Sequence, residues 1–146
     1  MAAISTDLIA PPGLKAQLEN LATTMTKPKG TALFRRGDDA LGAFLIRSGK
    51  VALGLDCPSS IFPSRVFGRG SVVGLPATVS GNPYSLTAEV VEDAELGFIP
   101  RATVMESLRR HPQLCFEVME ILSNEISEFR SALKQVDLRS VPRATQ

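Results

Sequence analysis

Tryptophan is absent from this chain, tyrosine and histidine occur once each, as Tyr84 and His111, and cysteine occurs twice, as Cys57 and Cys115. Each scarcity removes a class of chemistry. The lone histidine is followed by Pro112 and has no Ser or Cys at a meaningful spacing, so no nucleophile and base are paired for covalent catalysis. The two cysteines lie far apart, neither in a CxxC nor beside the histidine, which leaves no disulfide framework and no metal site. No carboxylate pair stands at a recognisable spacing either, so the expectation is a protein that is not an enzyme and carries no cofactor and no metal. Two ordinary thiols fit a reducing, cytoplasmic compartment.

Long apolar runs are missing as well. None approaches the roughly 20 residues that cross a bilayer, and MAAISTDLIAPP at the amino terminus lacks the basic leader and apolar stretch of a signal peptide. Charge of one sign is not in excess: 16 Lys and Arg against 15 Asp and Glu leave +1. No overall field draws the protein to nucleic acid or to an anionic membrane, and a ligand must be held by local contacts.

What is present suits one compact domain over 1–146: hydrophobic residues make up 44% of the chain, enough for a core. Leu14, Leu18, Leu21 and Met25 stand at helical spacing and predict an opening amphipathic helix. From Lys27 the texture turns to β, with Gly30 and Gly37 at turns around Ala32 to Phe34. Two apolar runs, Ala43 to Ile46 and Val51 to Leu55, flank ArgSerGlyLys and predict a hairpin turning at Ser48 and Gly49. A short strand is expected at 64–67, and two more at 86–91 and 94–100 are joined by a Glu92–Asp93 turn. Many short strands with glycine-bearing turns between about 27 and 100 predict a closed or rolled antiparallel sheet.

Helical periodicity returns at about 101–136. A short helix begins at Pro100, His111–Pro112 breaks it, and a longer one runs from about Pro112 to Val136. Its apolar residues Cys115, Val118, Leu122, Ile126, Phe129, Leu133 and Val136 step by threes and fours. At about 1.5 Å per residue the helix is roughly 37 Å long, more than a small roll needs for cover. Leu122, Ile126, Phe129 and Leu133 are therefore expected to form a homodimer seam; the other arrangement is a helix lying wholly on its own sheet.

The order of these elements, with GTALFRRGD at 30–38, FLIRSGKV at 44–51 and GSVVG at 70–74 followed by NPYSLTAEV at 82–90, resembles the cyclic nucleotide-binding domain family. The likeness is greatest to the effector domain of catabolite-activator-type bacterial regulators and covers about Leu14 to Val136. It implies a mainly β fold with flanking helices: an antiparallel β-roll or jelly roll (double-stranded β-helix) followed by a long C-terminal helix. In that family the cradle reads Gly-Glu-Leu-Ala, with an Arg some nine residues after the Glu. The Glu holds the ribose, and the Arg and the amides of a short helix start hold the cyclic phosphate.

Carried onto this chain, Gly74 keeps the glycine, Leu75 stands in the Glu place, Pro76 and Ala77 follow, and Tyr84 stands in the Arg place. Val73 leads into the loop, and Ser85 and Thr87 keep small or hydroxylated positions beyond it. An Arg fork on phosphate makes paired charge-assisted hydrogen bonds of about 1.5–3 kcal/mol each, so its loss weakens binding by roughly 10² to 10⁴. Ordinary cyclic AMP or cyclic GMP recognition is therefore not expected, unless Arg65 or Arg69 replaces the missing cation.

Two readings of the pocket follow. It has collapsed on its own side chains and the domain is a signal-transduction or protein-interaction module, or it takes a less polar small-molecule effector. In the regulators it resembles, the long helix leads into a DNA-reading module. Here about ten residues follow Val136, too few for one, so no autonomous DNA binding is expected.

Overall fold

Two long strands, paired with each other along nearly their whole length, carry the rest of the molecule. The structure, a computed structural model, describes residues 12–55, 64–121 and 123. In chain order the elements are α1 (Pro12–Leu21), β1 (Thr23–Lys27), β2 (Ala32–Phe34), β3 (Gly42–Gly54), β4 (Ser64–Phe67), β5 (Val72–Val73), α2 (Leu75–Ser80), β6 (Thr87–Pro100) and α3 (Arg101–Arg110), followed by a helical stretch at 114–121.

Every strand pairing is antiparallel. β6 pairs with β1 from Thr23↔Phe98 to Lys27↔Ala94, with β2 at Phe34↔Ala88, and with β3 from Gly42↔Pro100 to Gly54↔Thr87. β3 in turn pairs with β4 at Val51↔Phe67 and with β5 at Phe44↔Val73. The result is a mainly antiparallel β-roll with helices on its flanks, and Leu45, Ile46, Val51, Phe67, Val90 and Leu96 are buried in its core.

The structure corrects two expected turns. No hairpin forms at Ser48–Gly49: β3 runs through it as one 13-residue strand, with register shifts between Ile46 and Val51. Nor does the chain turn at Glu92–Asp93, which lies within the 14-residue β6. Both expected turns fall in one bulged stretch of the β3–β6 ladder, where three register shifts follow one another and Lys50 pairs with Glu92 and Ser48 with Glu95. Gly49 is needed for that bulge because its φ is +82° and a Cβ there would stand 2.2 Å from the Asp93 carbonyl oxygen.

A third correction concerns Met25, which is in β1 and not in the opening helix. The Thr-rich TTMTK is better suited to a pleated surface than to a helix, and all five residues pair with β6. α1 still buries Leu14 and Leu18, each 2% exposed.

At the carboxyl end, Leu114, Val118 and Ile121 are buried, whereas Cys115, Phe116 and Met119 are exposed. Val118 and Cys115, expected on one seam, thus belong to opposite environments. The remaining expected seam residues, Leu122, Ile126, Phe129, Leu133 and Val136, lie outside the described residues. Among the described residues no helix is long and apolar enough to cross a membrane.

Candidate functional site

The chain passes from β5 to β6 through α2, and two glycines in left-handed conformation bracket that helix. Gly74, at φ +81°, precedes it and Gly81, at φ +80°, closes it by donating its N–H to the Ala77 carbonyl at 2.8 Å. A Cβ on Gly74 would stand 3.1 Å from the rings of both Phe34 and Tyr84, so glycine suits this corner by conformation and by closeness of approach. Among the first amides of α2, Pro76 has no hydrogen to give, and the Thr78 N–H is directed to the Gly74 carbonyl at 3.2 Å. The Thr78 hydroxyl donates to that same oxygen at 2.7 Å.

Arg101 opens α3, where the helix dipole disfavours a cation. Its side chain turns instead to the carboxyl end of α2, donating Nε to the Thr78 carbonyl at 2.9 Å and lying against Gly81. The unfavourable dipole position is the sequence signal that could have marked Arg101 as serving another element.

Tyr84 is 4% exposed and stacks on Phe34 with ring centroids 3.8 Å apart and planes 12° from parallel. Its hydroxyl donates to the Gly42 carbonyl and accepts the Gly42 N–H at 3.2 Å, while its own N–H donates to the Asp38 carbonyl at 2.9 Å. Burial pushes the phenol above its ordinary pKa and the charge of Asp38 adds to the rise, while hydrogen bonding with the backbone at Gly42 and Leu41 and with the Thr78 side chain opposes it. The residue in the Arg place is therefore a neutral side chain whose polar end is already satisfied within the protein.

Of the residues expected at the site, Gly74, Ala77, Tyr84 and Ser85 line one small cavity of about 10 Å³, together with Phe34, Leu53 and Leu86. That volume is on the scale of a single water molecule. Val73, Leu75 and Thr87 do not line it. Val73 pairs with Phe44, Leu75 is fully buried in the core, and the Thr87 hydroxyl accepts the Arg36 N–H at 3.0 Å. Arg65 is exposed on β4 opposite Leu53, and Arg69 borders a separate groove with Glu19 and Arg47, so neither lines the small cavity. Phe34, which fills much of the site, was legible only as the strand residue before ArgArgGlyAsp.

The family model for the cyclic nucleotide-binding domain matches residues 25–111, more than half of the chain. The chain belongs to this family. It is 30% identical over 121 residues to the anaerobic regulatory protein of Bacillus subtilis (strain 168), a match covering 82% of this chain and 51% of that relative. It is 29% identical over 98 residues to patatin-like phospholipase domain-containing protein 6 of Pongo abelii, covering 66% of this chain and 7% of the relative. The chain thus spans about half the length of the first of these relatives and a small part of the second. The catabolite activator protein of Thermus thermophilus has the same fold, with a TM-score of 0.66 and 25% identity over 92% of this chain and 62% of that one. By family and fold, this cyclic nucleotide-binding domain is a regulatory binding domain.

Proposed function

We propose that residues 1–146 form one regulatory module of the cyclic nucleotide-binding family whose cassette is closed to cyclic AMP and cyclic GMP. It works in the cytoplasm as a homodimer through its C-terminal helix, by contact with a partner protein rather than by catalysis. The observation that carries this reading is the Phe34–Tyr84 stack, which includes the residue expected from the sequence in the Arg place and borders a space of about 10 Å³ beside Gly74 and Ala77. A cyclic nucleotide would need that volume, the two missing charges and the Tyr84 hydroxyl, which is already bonded in both directions to Gly42. Dimerisation is supported by exposed Phe116 and Met119 on the outer side of the terminal helix, at 78% and 60% exposure, leading in sequence towards Leu122, Ile126, Phe129 and Leu133.

Thermal melting with millimolar cyclic AMP or cyclic GMP tests the cassette. No shift is expected, and a reproducible rise overturns the reading, because a ligand of the native state must stabilise it. Light scattering tests the dimer independently: a monomer mass for the protein removes the seam.

A further inference from the structure

The larger of the two cavities bordered by the Phe34–Tyr84 stack is not in the cassette. A groove of about 530 Å³ also borders that stack and shares no other lining residue with the small cavity. Its volume falls in the range of small-molecule sites, roughly 300–1,000 Å³. We propose that this groove is a second ligand site, which takes an organic cation with an aromatic or alkyl body.

The floor is aromatic and continuous. From the Tyr84–Phe34 stack the rings run on to Phe44, 6.0 Å from Phe34, and then to Phe98, 5.0 Å from Phe44. Phe44 and Phe98 are register partners in β3 and β6 and so project from the same face. Leu41, 72% exposed, extends this apolar surface to the rim. The Tyr84 hydroxyl is doubly bonded to Gly42 and offers a ligand nothing polar, so polar recognition falls to the charged groups at the edge.

Those groups are Asp38, Asp39 and Lys27. Asp38 accepts the Arg35 N–H at 3.1 Å, and Asp39 makes no hydrogen bond or ion pair with any described residue. Lys27 stands opposite Ala94, whereas Gly42, just beyond the two aspartates, stands opposite Pro100. These two backbone positions are six residue steps apart along β6, about 20 Å. Lys27 lines the same groove, and set against the two aspartates it leaves one net negative charge at the edge. A cationic head beside Asp39 with its body over the half-buried Phe98 gains both the carboxylate and the negative face of that ring. An anion gains neither, and a neutral body gains only burial.

The probe is benzyltrimethylammonium, compared with benzyl alcohol and phenylacetate by amide chemical-shift titration of the whole protein. The cation is expected to shift amides at 38–42 and 96–98, with phenylacetate at least tenfold weaker, and Asp39→Asn, an exposed change, to weaken the cation about threefold to tenfold. Absence of a titration, equal binding of the alcohol or the anion, or an unchanged affinity in Asp39→Asn overturns the proposal. Shifts confined to Ala77 and Ser85 overturn it too, since they place the probe in the cassette. The proposal is independent of whether the cassette binds nucleotide.

Discussion

The two spaces that share the Phe34–Tyr84 stack differ in volume by a wide margin, about 10 Å³ on the cassette side and about 530 Å³ on the groove side. They are built from the same kind of material, since both are walled largely by apolar side chains. What separates them is how the backbone approaches. On the cassette side Gly74 brings α2 to within van der Waals contact of both rings, so the stack is clamped between β2 and the helix corner. On the groove side the chain from Asp38 to Leu41 and the rings of Phe44 and Phe98 line a space of about 530 Å³. In the cyclic nucleotide-binding family the cassette is where a ligand is expected, yet the cavity beside Gly74 is the smaller of the two.

Removing the shared wall should have the largest effect. Phe34→Ala deletes one ring of the stack from a site that is 6% exposed and joins the two spaces. Loss of a buried Phe typically costs about 3–5 kcal/mol, through lost burial and the cavity left behind. Urea denaturation should show that loss, and benzene, which fits an apolar void, should restore part of it. A loss below about 1 kcal/mol would mean that the stack does not close the cassette by packing.

Much of this contrast could be anticipated from the sequence, and part could not, for reasons that differ by residue. Gly74, Leu75 and Tyr84 are close neighbours in the chain, so the sequence alone sets Leu75 and Tyr84 against the acid and arginine expected after that glycine. Phe34 lies 50 residues from Tyr84, and nothing local in ThrAlaLeuPheArgArg says that its ring will lie parallel to the only tyrosine. The long strands escape a local reading for a related reason. Ser48–Gly49 and Glu92–Asp93 each satisfy the local rules for a turn, but pairing between β3 and β6 overrides both and makes one bulged stretch of them. A positive-φ glycine signals a special backbone position, and only the partner strand decides between a reversal of the chain and a kink. The groove was not legible at all, because its floor draws on β1, β2, β3 and β6 at once.

A smaller change probes how firmly the wall is held. Tyr84→Phe keeps the ring and its stack but removes the hydroxyl that bonds the Gly42 carbonyl and amide. A buried backbone group left without its partner typically costs about 1–3 kcal/mol, so a loss near 1–2 kcal/mol is expected, well below that of Phe34→Ala. If the two variants are equally destabilised, then the hydroxyl, and not the stacked ring, is what holds the two sides apart.

The finest test uses the proton on that hydroxyl. Burial raises the Tyr84 pKa in the folded protein, while an unfolded chain releases the same proton near the ordinary value of about 10. Below that value both states are protonated and the full stability is present. As pH rises above it, the unfolded chain gives up a proton that the folded protein keeps, so the unfolded state binds fewer protons and stability falls until the folded pKa is passed. The slope from this one group is at most about 1.4 kcal/mol per pH unit. Melting curves between about pH 9 and 11 should therefore diverge, with the wild type losing stability faster than Tyr84→Phe, while groups common to both cancel. Because Tyr84 is the only tyrosine and there is no tryptophan, tyrosinate absorbance follows this group alone, without interference. Ordinary titration near pH 10 in the folded protein, together with parallel melting curves, would mean that the phenol meets water and that the cassette and the groove are not separate spaces.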